Sequence, residues 1–194
     1  MVAKLAGLLL YLAAPFWEAK PPAEWTAGEA RGLLRESPWA QLSEVGRNGA
    51  EIPVPVYIAT AEPVMHAEDR VRAASKSKGE DPGWTDYRDY LAENAGKCIV
   101  LAILVTEKNA LLDNVETTRM ENESYLFIGR RKYGVKGHFP PSSSDPFVRL
   151  VFPREVRDGD KSLRFELYVP GTGAPFRNAE FPLKEMRYQG RPSY

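Results

Sequence analysis

The chain reads as an α+β fold: an antiparallel β-sheet or β-sandwich ending in a C-terminal meander, with N-terminal and inserted helices packed on it. Three observations carry this expectation. The longest unbroken apolar run outside the first residues, Cys98 to Val105, is rich in Ile and Val and ends in polar residues, as a strand covered on both faces does. Leu163, Phe165, Leu167 and Val169 alternate with Arg164, Glu166 and Tyr168, as a strand with one buried face does. Ahead of the central run, apolar residues recur at helical spacing behind N-cap and proline signals.

Taken in order, residues 1–14 (MVAKLAGLLLYLAA) pass from one lysine through an apolar stretch to small residues, the order of a secretory signal peptide. The competing reading is a helix packed on the body. Trp17, Glu18 and Lys20 follow at once, so no transmembrane span is expected beyond that segment. Residues 15–194 are expected to form a single α+β domain. Residues 15–25 are proline-punctuated and extended. Thr26 and Glu29 fit a capping box that opens a helix running to about Glu36, weakened by Gly28 and Gly32. In residues 52–60, Val54, Val56 and Ile58 alternate with Pro55, Tyr57 and Ala59. That is a strand whose first half belongs at a sheet edge, because Pro53 and Pro55 cannot donate to a ladder. Pro63 opens a helix with Val64, Ala67, Val71 and Ala74 on one face. Thr85 caps a short helix carrying Tyr87, Tyr90 and Leu91, and the central strand follows.

Residues 107–118 form a weaker helix, since Asn114, Thr117 and Thr118 are poor helix formers. From Glu123 the period changes to two. Residues 124–128 and 132–137 pair as a hairpin around Gly129-Arg130-Arg131. Residues 140–146 (PPSSSDP) are an exposed, flexible loop. Strands near 148–152, 163–169 and 179–183 complete the meander, the last at an edge because of Pro182.

Composition narrows the function classes. Lys plus Arg equals Asp plus Glu at 26 each, so no global charge attracts nucleic acid. Cys98 is the only cysteine, which forbids an internal disulfide and a multi-cysteine metal site. Two histidines, His66 and His138, leave little material for a histidine-rich metal centre. There is no P-loop, HExxH, GxSxG or dinucleotide fingerprint, and neither a cofactor nor a metal is expected.

Each remaining candidate has a plain competitor. Cys98 could serve as a nucleophile beside a histidine, but its apolar setting marks a small buried hydrophobe. His66-Ala67-Glu68 matches the opening of the zinc-deaminase pattern, whose paired cysteines are absent. Glu80, Asp81, Asp86 and Asp89 surround Trp84. They are material for a carboxylate pair in a hydrolase, or else a solvated helix start; their spacing fits no calcium loop. Arg130, Arg131, Lys132 and Lys136, with Tyr125, Phe127 and Tyr133, interleave bases and aromatics as polyanion-binding surfaces do. The competitor there is a charged tip that blunts a sheet edge.

The segments FWEAKPP with EW close behind, LLRESPWA, VYIATAEPV, LVFPR, RFELYVPG and FPLKEMRYQG resemble a group of uncharacterised, exported bacterial proteins of acidobacterial type. The resemblance implies export and one compact unit, and it supplies no activity or site residues. The expected protein is therefore a secreted or periplasmic binding or interaction domain without catalytic activity. Its partner is a protein or a polyanionic envelope component, not nucleic acid. Its binding surface is Arg130, Arg131, Lys132, Tyr133 and Lys136 with the loop 140–146. The alternative is a hydrolase using the carboxylates near Trp84, and a third class is an envelope-anchored structural component.

Overall fold

A computed structural model describes residues 14–45, 53–75, 81–105, 107–172 and 174–194. The segment read as a signal peptide lies outside the described residues apart from Ala14, and so does Glu80. Two short helices, α1 (Phe16–Ala19) and α2 (Ala27–Leu33), flank a 3₁₀ turn at Pro22–Glu24. The expected capping box opens α2: Glu29 N donates to Thr26 Oγ1 at 3.1 Å and Thr26 N donates to the Glu29 carboxylate at 2.9 Å. The helix stops at Leu33, directly after Gly32 and short of Glu36.

Strands β1 (Ala40–Leu42), β2 (Glu44–Val45) and β3 (Pro55–Ile58) lead into α3 (Glu62–Ala74), which carries Pro63 in its first turn. Helix α4 (Pro82–Asn94) starts ahead of Thr85 because Asp81 is its cap, with Asp81 Oδ1 accepting from Trp84 N at 3.2 Å. Strand β4 (Cys98–Leu104) follows. The weak helix expected over 107–118 is split into a 3₁₀ turn at Lys108–Leu112 and α5 (Asn114–Glu123), which Asp113 caps. The remaining strands are β5 (Tyr125–Ile128), β6 (Arg131–Gly134), β7 (Gly137–Phe139), β8 (Phe147–Pro153), β9 (Ser162–Tyr168) and β10 (Phe176–Pro182). A ribbon of β11 (Arg187–Tyr188) and β12 (Arg191–Pro192) ends the chain.

The strands form two five-stranded antiparallel sheets, ordered β1-β3-β4-β8-β7 and β2-β10-β9-β5-β6. The expected central strand, β4, lies in the middle of the first. The C-terminal strands do not run as one meander, because β8 crosses to pair with β4 while β9 and β10 join the hairpin strands. Register assigns the faces. Ile99, Leu101 and Ile103 of β4 lie opposite Phe152, Leu150 and Val148 of β8. Phe152 meets Phe165 of the second sheet edge-on at 5.4 Å. On that second sheet Leu126, Ile128, Leu163, Phe165, Ala179 and Phe181 are buried. The two inner faces thus share one core, in which each large apolar side chain contributes about 1.5–3 kcal/mol.

The opposite face of the first sheet is covered by α3 and α4, which is why β4 and β8 are buried on both faces. Helix α5 packs against β9, and its Glu121 reaches His138 of β7, tying the two sheets together (2.7 Å). The prolines sit where ladders stop. Pro55 pairs with Leu42 of β1, while the ladder to β4 begins at Val56. Pro182 pairs with Ser162 alone, because β2 covers β10 only at Arg177 and Asn178.

Candidate ligand cleft

One cross-strand row on the helix-facing side of the first sheet runs Tyr57–Ala102–Arg149–Phe139. With only a methyl group at Ala102, Arg149 Nη2 reaches Tyr57 OH across it at 3.4 Å. Glu68 of α3 covers both: its Oε1 accepts from Arg149 Nη2 at 2.6 Å and from Tyr57 OH at 2.8 Å. Asp145, in the segment before β8, accepts from Arg149 Nη1. The guanidinium also lies over the Tyr87 ring at 4.4 Å and the Trp84 ring at 5.2 Å, both on α4. The side chains of Arg149 and Glu68 are only 2 % and 3 % exposed. An unpaired charge buried this deeply costs several kcal/mol, so the cluster holds only as a set.

A cleft of about 160 Å³ opens above this cluster. Its walls are apolar, formed by Leu34, Val71, Pro146 and Phe147, with Trp84 alongside. Arg72 stands at its side, stacked on Trp84 at 4.7 Å and donating to Ser144 Oγ at 2.8 Å. Its floor is Tyr57, Glu68, Asp145 and Arg149. The second carboxylate oxygen of Glu68, Oε2, is buried and has no hydrogen-bond partner among the described residues. Burial pushes the Glu68 carboxyl above its ordinary range, against the opposing pull of Arg149. Burial likewise raises Tyr57 and Tyr87, so neither phenol titrates near neutrality.

The serine–proline loop is a fixed wall of this cleft. Asp81 accepts from Ser142 Oγ (2.5 Å), from Ser144 N (3.3 Å) and from Ser144 Oγ. Burial pushes the Asp81 carboxyl up, but these bonds and the Trp84 amide outweigh it and hold the group down to about 2. The expectation of a flexible, exposed segment is thereby corrected: the α4 cap also anchors the loop. Of the other acids near Trp84, Asp86 and Asp89 are exposed and do not line the cleft. The carboxylates that do are Glu68 and Asp145.

The hairpin residues are not gathered into one patch. Gly129, at φ +60°, takes the first turn position and Arg130 is exposed at the second. Side chains alternate along β6, so Arg131 and Tyr133 share the inner face with Ile128 and Leu126, while Lys132 lies outside opposite Phe127. Arg131 is held by Asp160 at 2.6 Å and by the Glu155 carbonyl at 2.6 Å. The Lys132 ammonium stacks on Tyr125 at 3.4 Å, and Lys136 is exposed beyond the strand. The hairpin turn rests on Asp160, and the loop 140–146 rests on α4, so different elements hold the two.

Cys98 is buried and its thiol donates to the Asn94 carbonyl at 3.3 Å; burial raises its pKa. His66 packs near Trp25, far along the chain from His138 with its Glu121 partner. Among the described residues no group of His, Cys, Asp and Glu is placed to hold a metal ion, and no helix is long and apolar enough to cross a membrane.

Sequence reasoning missed Glu68 and Arg149 as partners. The signal was present: Glu68 falls in the apolar stripe of α3, and Arg149 is the one charge in β8. Opposite charges inside two otherwise apolar faces point to a buried pair. Comparison with known protein families, curated proteins and solved structures gives no match.

Proposed function

We propose that this protein is a non-catalytic binding domain that works outside the cytoplasm and takes a small ligand in the cleft beside Trp84. The observation that carries the reading is a shaped apolar cleft lined at its floor by Glu68, whose buried Oε2 has no partner among the described residues. Both carboxylates at its floor are engaged by Arg149, which suits a rigid recognition surface. Export rests on the N-terminal pattern and on the resemblance to exported bacterial proteins. The mass of the native N-terminus tests it: cleavage near residue 14 is the expected result.

Binding is tested by a fragment screen followed through the tryptophan indole NMR signals. Trp25 and Trp39 donate their indole N–H groups to the Lys20 and Ser193 carbonyls and are fully buried. Hits in the cleft therefore shift Trp84 and leave those two in place. A screen in which no fragment moves Trp84 rejects the site. The hydrolase reading draws on one observation, the raised Glu68 carboxyl in a cleft with a second acid, Asp145. Turnover of a glycoside or ester that Glu68→Gln abolishes would favour it over binding alone.

A further inference from the structure

Resting on the reading of the cleft as a ligand site, we propose that its ligand is a small primary ammonium with a short apolar tail, whose N–H group donates to Glu68 Oε2. Three features lead there. Among the described residues the floor holds two buried polar atoms without a partner, Glu68 Oε2, an acceptor on a side chain only 3 % exposed, and Arg149 Nε, a donor whose positive charge Glu68 and Asp145 already share. The charges around them do not balance. Among the described residues at the cleft, Arg72 and Arg149 pair with Asp81, Glu68 and Asp145. Two cations face three carboxylates, and Arg149 alone serves two of them. The walls of the cleft, Leu34, Val71, Pro146 and Phe147, offer apolar contact to a hydrocarbon tail. An ammonium head supplies both the missing donor and the missing positive charge, and a volume near 160 Å³ limits the tail to a few carbons.

An anionic ligand fits less well. Arg72, the cation at the side of the cleft, already donates to Ser144 and lies 3.6 Å from Asp81. A carboxylate could accept from Arg149 Nε, but it would add a like charge beside Glu68 and Asp145 in a set already short of positive ones.

The test is titration calorimetry of the full chain at pH 7 with butylammonium, butanol and butyrate, which share a tail and differ at the head. The expected result is that butylammonium binds at least tenfold more tightly than either of the others. Glu68→Gln, which keeps one acceptor for Arg149 and Tyr57 but replaces Oε2 by a donor, weakens butylammonium tenfold or more. Val71→Phe fills the cleft without touching the carboxylate and abolishes binding, and it remains interpretable if the Glu68 variant misfolds. Butyrate or butanol binding as tightly as the amine, and lost in Val71→Phe, overturns the ammonium and leaves the cleft as the site. No binding by butylammonium, or binding that Val71→Phe leaves unchanged, also overturns the proposal.

Discussion

Arg149 is the only charged side chain in β8, and it points away from the inter-sheet core into the layer beneath α3 and α4. Its guanidinium satisfies Glu68 and Asp145 together, so its loss would leave two carboxylates buried without a cation. Arg149→Met is expected to cost about 3–5 kcal/mol in urea unfolding. Adding Glu68→Gln and Asp145→Asn to that variant should recover much of the loss, since the penalty lies in the stranded charges and not in the missing contact. Asp81 acts at the same scale through pH. Its carboxyl is held down to about 2 in the folded chain, against an ordinary value of 3.8. A depressed carboxyl stabilises the fold above its unfolded pKa and loses that contribution as the pH falls through the folded value. About 2 kcal/mol present at neutral pH should therefore fade between about pH 4 and pH 2. A stability–pH curve for Asp81→Asn should lack that step.

Among the elements, those with local signals were legible and those completed from a distance were not. The Thr26–Glu29 box, the Pro63 helix start and the alternation of β9 are written in a few consecutive residues. The start of α3 shows the opposite case. Ala61 cannot cap it, and the first amide, Glu62 N, donates to Ser193 Oγ at 2.9 Å, 131 positions away. The serine–proline loop misled for the same reason, because its hydroxyls are bound by an acid in another element. A tight approach near α5 is equally hidden in the sequence. Gly171 sits at φ +74°, and a Cβ there would lie 2.8 Å from the Cβ atoms of Ala110 and Glu107. Gly171→Ala thus combines a left-handed backbone with a clash, and should cost about 2 kcal/mol, read as a fall of several degrees in Tm.

For the whole molecule, alternation and apolar runs gave the α+β class because burial on one face or both is a property of the strand itself. The pairing of β8 with β4 was not legible, since any half-buried strand can complete either sheet. The cleft was half legible. Trp84 and its neighbouring acid Asp81 stood out, but the floor is built from β3, α3 and β8, which only the packed sheet brings together. The helix layer over β4 therefore does two things: it closes the core, and it leaves an opening lined by Glu68, whose Oε2 has no partner among the described residues. Whether that opening takes an ammonium at Glu68 is read by ¹³C NMR of the Glu68 carboxyl carbon. The predicted result is a carboxyl that titrates above its ordinary value of 4.5 in the free protein and drops when butylammonium is added. A carboxyl that titrates at or below that ordinary value and ignores the amine would contradict it.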